Sequence, residues 1–217
     1  MDPPECSGHT HDHHDHGDDL GLSLRPQVDL PSVRCLNEEI PNSGRAVLKL
    51  HEERLSTEPA LRSQPDDPEL LLFIPFTEAV VLQSISIRSV APGGDDPVAP
   101  PRHIKLFVDR EDLDFETARD LEPQMKLELL PPQHFVEGTI DYPLRPAGRF
   151  QSISSVIIFV ADNYSGDEEL STVITYVGLK GKGTHQKRMA VNAVYETQPM
   201  PEKNKLGGIN AVARESF

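Results

Sequence analysis

The sequence predicts an all-β protein of the sandwich or jelly-roll class. Short apolar runs recur between segments rich in Pro, Gly, Asp and Asn, and several runs alternate polar and apolar residues. No stretch has the pattern of a good crossover helix, which parallel strands would need. Many short strands joined by loops of uneven length are typical of a sandwich. Residues 20–197 are expected to form this domain, with disordered tails at 1–19 and 198–217.

Seven segments are predicted to be strands because they are apolar, rich in β-branched residues and bounded by turn-forming residues. In chain order they are 69–76, 80–90, 103–109, 125–130, 154–161, 171–179 and 189–195. Alternate side chains of a strand point to the same face. In three of these segments the apolar residues lie on one face, and that face is expected to pack against the core. These residues are Val81, Ile85 and Ile87; Ile104, Leu106 and Val108; and Met125, Leu127 and Leu129.

The segments between the strands are predicted loops, with one candidate helix. Residues 45–55 place apolar residues at helical spacing but offer no convincing cap. Residues 91–101 contain four prolines and a glycine pair, which excludes a regular element. Residues 178–184 are rich in glycine but lack the contiguous Gly-Lys-Ser/Thr of a phosphate-binding loop. They are predicted to be a turn that ends a strand, where glycine tolerates positive φ.

The N-terminal run "HTHDHHDHGDD", residues 9–19, holds five of the nine histidines. Residues 1–19 also contain six acidic side chains, no basic one and no large apolar group, so they cannot offset the entropy of ordering. A solvated acidic tail is the main interpretation. Capture of divalent transition metals by the closely spaced imidazoles is the alternative, although a flexible segment fixes no coordination geometry. No built metal site and no cofactor are expected.

Charge and cysteine usage narrow the class of protein. The net charge is −14, and without a Lys/Arg stripe such a surface repels nucleic acid. The start of the chain lacks the basic and apolar regions of a signal peptide, and no stretch approaches about 18 uninterrupted apolar residues, so no membrane association is expected. Cys6 and Cys35 form no C-x-x-C pattern and are expected to be free thiols in a reducing, intracellular environment.

No group of residues stands out as catalytic. Residues 109–116 place Asp112, Asp114 and Glu116 at alternate positions, as a calcium loop does. The required glycine is replaced by Thr117 and the bidentate glutamate by Pro123, so a solvated acidic loop is expected instead. No histidine is flanked by a serine or cysteine in a nucleophile turn. The protein is therefore predicted not to be an enzyme, with no catalytic residue assigned.

Six segments resemble the PITH domain family in their order and spacing. They are "RCLNEE" (34–39), "ELLLFIPFTEAVVLQSISI" (69–87), "PPRHIKLFVDREDLDFE" (100–116), "RFQSISSVIIFVADN" (149–163), "TVITYVGLKG" (172–181) and "VYE" (194–196). The resemblance covers about residues 20–197, and the His-rich start also resembles the stand-alone members of the family. It implies a jelly-roll β-sandwich similar to galactose-binding-like domains and to the Doc subunit of the anaphase-promoting complex.

The resemblance also implies a function. The family name abbreviates "proteasome-interacting thioredoxin", so it implies a non-enzymatic protein-binding module with the 26S proteasome regulatory particle as partner, in the cytoplasm and nucleus; a monomer is expected. The chain has no thioredoxin module, and a redox role is withheld. The tail 198–217, with Lys203, Lys205 and Arg214, is expected to contribute to docking. A small-molecule or glycan-binding sandwich that uses the loops at one end is the alternative.

The residues that carry the resemblance are called the signature residues below. They are Cys35, Leu36, Asn37, Glu38, Ile74, Pro75, Phe76, Asp114, Phe115, Arg149, Phe150, Gly178, Tyr195 and Glu196. The apolar members are expected in the core. For the polar members, buried pairing or turn capping is favoured over direct contact with a partner. Both roles stay open at this point.

Overall fold

The computed structural model describes residues 21–90, 98–132, 138–167 and 170–187. The strands are β1 (Leu22–Ser23), β2 (Arg34–Leu36), β3 (Leu61–Arg62), β4 (Leu70–Arg88), β5 (Val98–Ala99), β6 (His103–Val108), β7 (Met125–Glu128), β8 (Asp141–Pro143), β9 (Ile153–Val160), β10 (Ser171–Ile174) and β11 (Tyr176–Lys187). The helices are α1 (Ser43–Ala46) and α2 (Phe115–Asp120), with 3₁₀ turns at Arg25–Gln27, Leu30–Ser32, His51–Glu53 and Ala147–Phe150. This architecture confirms the predicted all-β class.

The long strand β4 joins the two layers of the sandwich. Its first part lies between β2 and β9, with Leu72 opposite Cys35 and Ile158. Its second part lies between β8 and β11, with Ile85 opposite Tyr142 and Leu179. Strands β6 and β7 extend the first layer and β1 extends the second, all in antiparallel pairs. One curled sheet therefore supplies both layers.

Strand β4 also corrects the prediction of two separate strands at 69–76 and 80–90. The polar residues Thr77 and Glu78 resemble a connecting loop in the sequence, but they mark only an irregularity of register between Pro75 and Val80. The chain stays paired there, because Glu78 lies opposite Lys187 of β11. An irregular pairing of this kind bends a strand and strengthens its twist, which lets one strand serve two layers.

A small second sheet contains β3, β10 and β5 in that order, and its β10–β5 pair is parallel. The predicted strand 171–179 is wrong at this point, since β10 ends at Ile174 and β11 begins at Tyr176. The backbone N–H of Thr175 donates to the carbonyl of Arg88 at 2.8 Å, which turns the chain from one sheet into the other. The residues on either side of the break, Val173 and Ile174 before it and Tyr176 and Val177 after it, are apolar, so no clear change in hydrophobicity marks it.

The first layer is buried on both faces, which explains its continuous apolar runs. Leu70, Leu72, Ile74 and Phe76 face the main core between the layers. The intervening side chains pack into a second, outer cluster, whose buried members are Leu71, Phe73, Phe107, Leu113, Ala118, Ile157 and Phe159. Each such side chain contributes roughly 1.5 to 3 kcal/mol on burial.

The predicted faces of two strands are confirmed. Ile104 and Leu106 are buried in the main core and Val108 packs against it, as predicted for β6. On β7, Met125 and Leu127 pack against the same core. Leu129, the third predicted member of that face, is buried there directly after the strand.

Helix α2 covers the outer cluster and was not predicted. Its N-cap is Asp114, whose Oδ1 accepts the backbone N–H of Thr117 at 2.7 Å. Ala118 is fully buried against the sheet, and Leu113 is buried just before the helix. The predicted acidic loop at 109–116 is therefore a loop up to the N-cap Asp114, and only its last two residues belong to the helix. Its sequence signal was the Asp N-cap followed by Glu116 in the first turn.

The candidate helix over 45–55 is wrong. The α-helix ends at Ala46 and the chain then opens, apart from the 3₁₀ turn at His51–Glu53. The carbonyl of Val47 accepts a hydrogen bond from the backbone N–H of Val177 of β11 at 2.9 Å. Leu48 is 2% exposed whereas Leu50 is 54% exposed. The apolar residues thus belong to a loop that lies on the sheet. The Val47 carbonyl, which a continuing helix would pair with a backbone N–H four residues later, is bound to Val177 instead.

Two further predictions fail around a bulge in β4. Residues 178–184 are not a turn but the middle of β11. Gly181 lies so close to the neighbouring strand that a Cβ there would be 1.9 Å from the carbonyl oxygen of Val81. Leu82 pairs with Gly181 and Ser84 with Lys180, which leaves Gln83 as an extra residue. This bulge reverses the alternation, so Val80 and Leu82 join Ile85 and Ile87 in the core, while Val81 is half-buried outside it.

Some predictions lie outside the described residues, namely the strand at 189–195 and both tails. Within the described ranges, no helix has the length and apolar character needed to cross a membrane.

Candidate functional site

The first signature block builds a tight turn after β2. Asn37 has φ 68° and its amide donates to the carbonyl of Glu69 at 2.7 Å. The Glu38 carboxylate accepts the backbone N–H of Asn42 at 2.6 Å and of Gly44 at 2.8 Å. Asn tolerates the left-handed region, and a carboxylate that binds two amides holds a helix start in place. The turn therefore positions α1 against β2.

Cys35 is a structural member of this block. Its side chain packs against the main core and lies beside Gly44, where a Cβ would come within 2.6 Å of the Cys35 Cβ. Burial raises the pKa of the Cys35 thiol well above its ordinary value, and the charge of Glu38 raises the pKa further. Since the thiolate is the reactive form, the thiol is not suited to nucleophilic or redox chemistry.

The other described signature residues are divided between the two cores and their turns. Ile74, Phe76 and Phe150 are buried in the main core, and Pro75 is buried in β4. Leu36 and Phe115 pack against the outer cluster, and the Phe115 ring meets that of Phe159 edge to face at 6.3 Å between centroids. The Arg149 guanidinium donates to the Gln124 carbonyl at 3.1 Å, and Asp114 caps α2.

Gly178, the last described signature residue, allows the Tyr176 ring to lie against the strand. A Cβ at Gly178 would be 2.6 Å from the Tyr176 hydroxyl oxygen. Tyr195 and Glu196 lie outside the described residues. The twelve signature residues that the structure describes do not converge on one surface site, and their contacts support the sandwich and its turns. A role for any of them in partner binding stays a prediction.

A polar cavity of about 510 Å³ opens at one end of the sandwich. Side chains that line it include Asp66, Glu69, Arg102, Arg119, Asp162 and Asn163. Arg119 binds Glu69 through two hydrogen bonds, with Nε 2.9 Å from Oε1. Arg102 binds Glu128, with Nη2 2.9 Å from Oε1. These arginines therefore have carboxylate partners, and no aromatic ring is among the described residues that line the cavity.

His103 lies beside this cavity between two carboxylates. Its Nδ1 is 2.7 Å from Oδ2 of Asp162, and its Nε2 is 3.8 Å from Oε1 of Glu128. The backbone N–H of His103 also donates to Asp162 at 2.9 Å. The ring is thus held in place by acidic groups. In the part of the chain that the structure describes, no three His, Cys, Asp or Glu side chains are grouped as a metal site.

A second cavity, the basic pocket, lies between the 3₁₀ turns at Arg25–Gln27 and Leu30–Ser32 and the segment after α1. Its volume is about 460 Å³, and Arg25, Arg45, Leu48, Lys49, Leu50 and Pro59 are among the lining residues. All three cations donate to backbone carbonyls. The bonds run from Arg25 to Leu48, from Arg45 to Pro31 at 3.0 Å and from Lys49 to Ser56 at 3.0 Å.

The sequence did not predict the basic pocket, because residues 45–55 were expected to form one helix. On a helix, Arg45 and Lys49 would share an exposed face, and Arg25 would be remote. The structure instead brings the segment after α1 against the 3₁₀ turn that carries Arg25. The available signal was the presence of basic residues at 25, 45 and 49 in a chain where acidic residues predominate.

The fold and the placement of the signature residues define a class of protein, an antiparallel β-sandwich domain whose polar signature side chains hold its turns. Comparison with known proteins gives the family. The PITH domain family matches residues 14–199, and the chain belongs to that family.

Relatives with this domain match over most of their length. A PITH domain-containing protein of Caenorhabditis elegans is 33% identical over 203 residues, covering 93% of this chain and 91% of its own. PITH domain-containing protein 1 of Dictyostelium discoideum is 29% identical over 204 residues, covering 93% and 95%. PITH domain-containing protein 1 of Homo sapiens is 30% identical over 206 residues, covering 94% and 86%.

Solved structures of low sequence identity are also similar. An F5/8 type C domain from Bacteroides fragilis has a TM-score of 0.48 and 11% identity, covering 70% of this chain and 91% of that one. The CBM32-3 domain of a family 31 glycoside hydrolase from Clostridium perfringens has a TM-score of 0.46 and 11% identity, covering 72% and 95%.

Proposed function

We propose that this protein is a non-enzymatic interaction module that associates with the regulatory particle of the 26S proteasome, in the cytoplasm and nucleus. The observation that carries the proposal is membership of the PITH domain family over residues 14–199, a family whose name refers to proteasome interaction. Two groups that could be reactive are consistent with it, since burial raises the pKa of the Cys35 thiol and the His103 ring contacts carboxylates.

The test is affinity purification of the tagged full-length protein from cell lysate, followed by mass spectrometry. ATP is kept present so that the regulatory particle stays assembled. We expect regulatory-particle subunits to be recovered above the level of a tagged unrelated β-sandwich. If no proteasome subunit is recovered under these conditions, the proposal is wrong.

The C-terminal segment provides a second, narrower test. Residues 198–217 carry Lys203, Lys205 and Arg214 on an otherwise acidic chain, and we propose that they strengthen docking by ordering on the partner. Removal of residues 198–217 is expected to reduce proteasome recovery. Unchanged recovery would show that docking does not need residues 198–217.

A second candidate function is small-molecule or glycan binding at the polar cavity. The observation in its favour is an open volume of about 510 Å³ lined by Asp, Asn and Arg side chains. The described lining offers no aromatic ring for a sugar to stack on, which ranks this candidate lower. A ligand present at 100 times its Kd stabilises a protein by about 2.7 kcal/mol. A thermal-shift screen with sugars therefore tests it, and no shift with any sugar would count against it.

A further inference from the structure

The basic pocket brings together three cations, Arg25, Arg45 and Lys49, that form no ion pair within the described ranges. Among the described residues, Arg102, Arg110 and Arg119 each form an ion pair with a carboxylate. None of the ion pairs within the described ranges involves a cation of the basic pocket, and the Nε of Arg45 is buried there without a hydrogen-bond partner. The chain has a net charge of −14, yet these three cations line a single pocket.

Lys49 is the most unusual of these cations. Its residue is only 7% exposed, and its described hydrogen bond is the one to the Ser56 carbonyl. An ammonium group has three N–H donors, so two are left without a partner among the described residues. Burial lowers the pKa of Lys49, and the charges of Glu58 and Glu53 act in the opposite direction. A buried ammonium is costly unless an anion compensates it, and a bound anion would raise its pKa again.

The rest of the lining indicates what kind of anion fits. Leu48 is buried, Leu50 is 54% exposed, and Pro59 is exposed beside it, so apolar surface adjoins the charged groups. Glu53 and Glu58 are exposed lining residues that would repel a second carboxylate. The volume of about 460 Å³ suits one or two side chains. A single carboxylate next to an apolar side chain meets these conditions, and a polyphosphate does not.

We propose that the basic pocket binds an acidic segment of a protein partner, with one Asp or Glu carboxylate at Lys49 and Arg45 and the next apolar side chain against Leu48 and Leu50. This inference rests on the proposed function, for which it names the contact site. The argument for this occupant is charge complementarity, since Arg25, Arg45 and Lys49 line the pocket of a chain whose net charge is −14.

The test uses the full-length protein and a defined probe. The probe is a fluorescein-labelled peptide of alternating leucine and glutamate, capped at both ends, and the control peptide carries glutamine in place of glutamate. Fluorescence anisotropy is measured for wild type, Lys49→Met, Lys49→Arg and Arg45→Gln. Lys126→Met is the matched control variant, because Lys126 is exposed on β7 and paired with Glu122. Far-UV circular dichroism and thermal melting confirm that each variant is folded.

The acidic peptide is expected to bind wild type, Lys49→Arg and Lys126→Met within about twofold of one another. Lys49→Met is expected to weaken binding about tenfold or more, since it removes one of the two cations that meet the peptide carboxylate. Loss of binding by Arg45→Gln supports the same site if Lys49→Met is poorly folded. Equal binding by Lys49→Met and wild type, or equal binding of the glutamine peptide, would overturn the proposal.

Proteasome purification with the same variants separates this proposal from the proposed function. If Lys49→Met loses peptide binding and also loses proteasome recovery, the result supports the basic pocket as the contact site and the proposed association with the proteasome. Proteasome recovery by wild type without peptide binding overturns only the pocket, and peptide binding through Lys49 without proteasome recovery overturns only the proposed function. If the peptide binds only after removal of residues 2–19, the acidic N-terminal segment of this chain is the occupant, and the partner proposal is wrong.

Discussion

Gly181 offers the sharpest test of how the two strands of the second layer are held together. Its replacement by alanine would place a Cβ 1.9 Å from the Val81 carbonyl oxygen and 3.1 Å from a methyl carbon of Leu24. Carbon and oxygen atoms in contact need a separation of about 3.3 Å. Strands β4 and β11 would therefore have to move apart by roughly 1.4 Å at this point, which breaks adjacent ladder hydrogen bonds.

The magnitude follows from these contacts. The substitution is expected to cost two ladder hydrogen bonds, at about 0.5 to 1.5 kcal/mol each, and overpacking of about 1 to 3 kcal/mol. Alanine also makes the unfolded chain less flexible, which stabilises the fold, but this gain is smaller than the two costs. Gly181→Ala is expected to lower the free energy of unfolding by roughly 2 to 4 kcal/mol. For a domain of this size that corresponds to a fall in Tm of about 5 to 15 °C.

Two other glycines provide matched controls. A Cβ at Gly148 would meet nothing within 4 Å, so Gly148→Ala is expected to change stability by less than about 0.5 kcal/mol. A Cβ at Gly183 would meet the Glu78 carboxylate at 2.4 Å, but that side chain can rotate away. Urea unfolding followed by far-UV circular dichroism suits all three, because the chain has no tryptophan. If Gly181→Ala and Gly148→Ala share a midpoint and slope, the close approach does not constrain the sheet.

Three further predictions concern other parts of the fold. Phe159→Ala is expected to lower the free energy of unfolding in urea by about 3 to 5 kcal/mol, since Phe159 is 1% exposed; a loss below about 1 kcal/mol would contradict a packed outer cluster. The hydrogen bond from the Thr117 N–H holds the pKa of Asp114 below its ordinary value of 3.8. Wild type is therefore expected to have a higher Tm than Asp114→Ala above pH 3.8, and this difference is expected to disappear as the pH falls through the lower pKa of the folded state. A difference in Tm that grows on acidification would contradict this. In a Cys6→Ser protein, Cys35 is expected to react with Ellman's reagent only on unfolding, and rapid reaction of the native protein would show an accessible thiolate.

The sequence by itself determined the strand character of the chain and its family. Alternation placed Ile104 and Leu106 correctly in the core, because the face of a regular strand follows from its two-residue period alone. Six ordered blocks were enough to indicate the PITH domain family, since most of their members are core or turn residues whose spacing the fold requires.

Only the tertiary structure decided where the two-residue alternation of a strand is interrupted and which basic residues form one pocket. The bulge at Gln83 depends on the approach of β11, and no local signal in the sequence marks it. The hydrogen bond from Val177 to Val47 likewise opens the predicted helix after α1. That opening places Lys49 beside Arg25, and long-range hydrogen bonds rather than local propensity thus create the basic pocket.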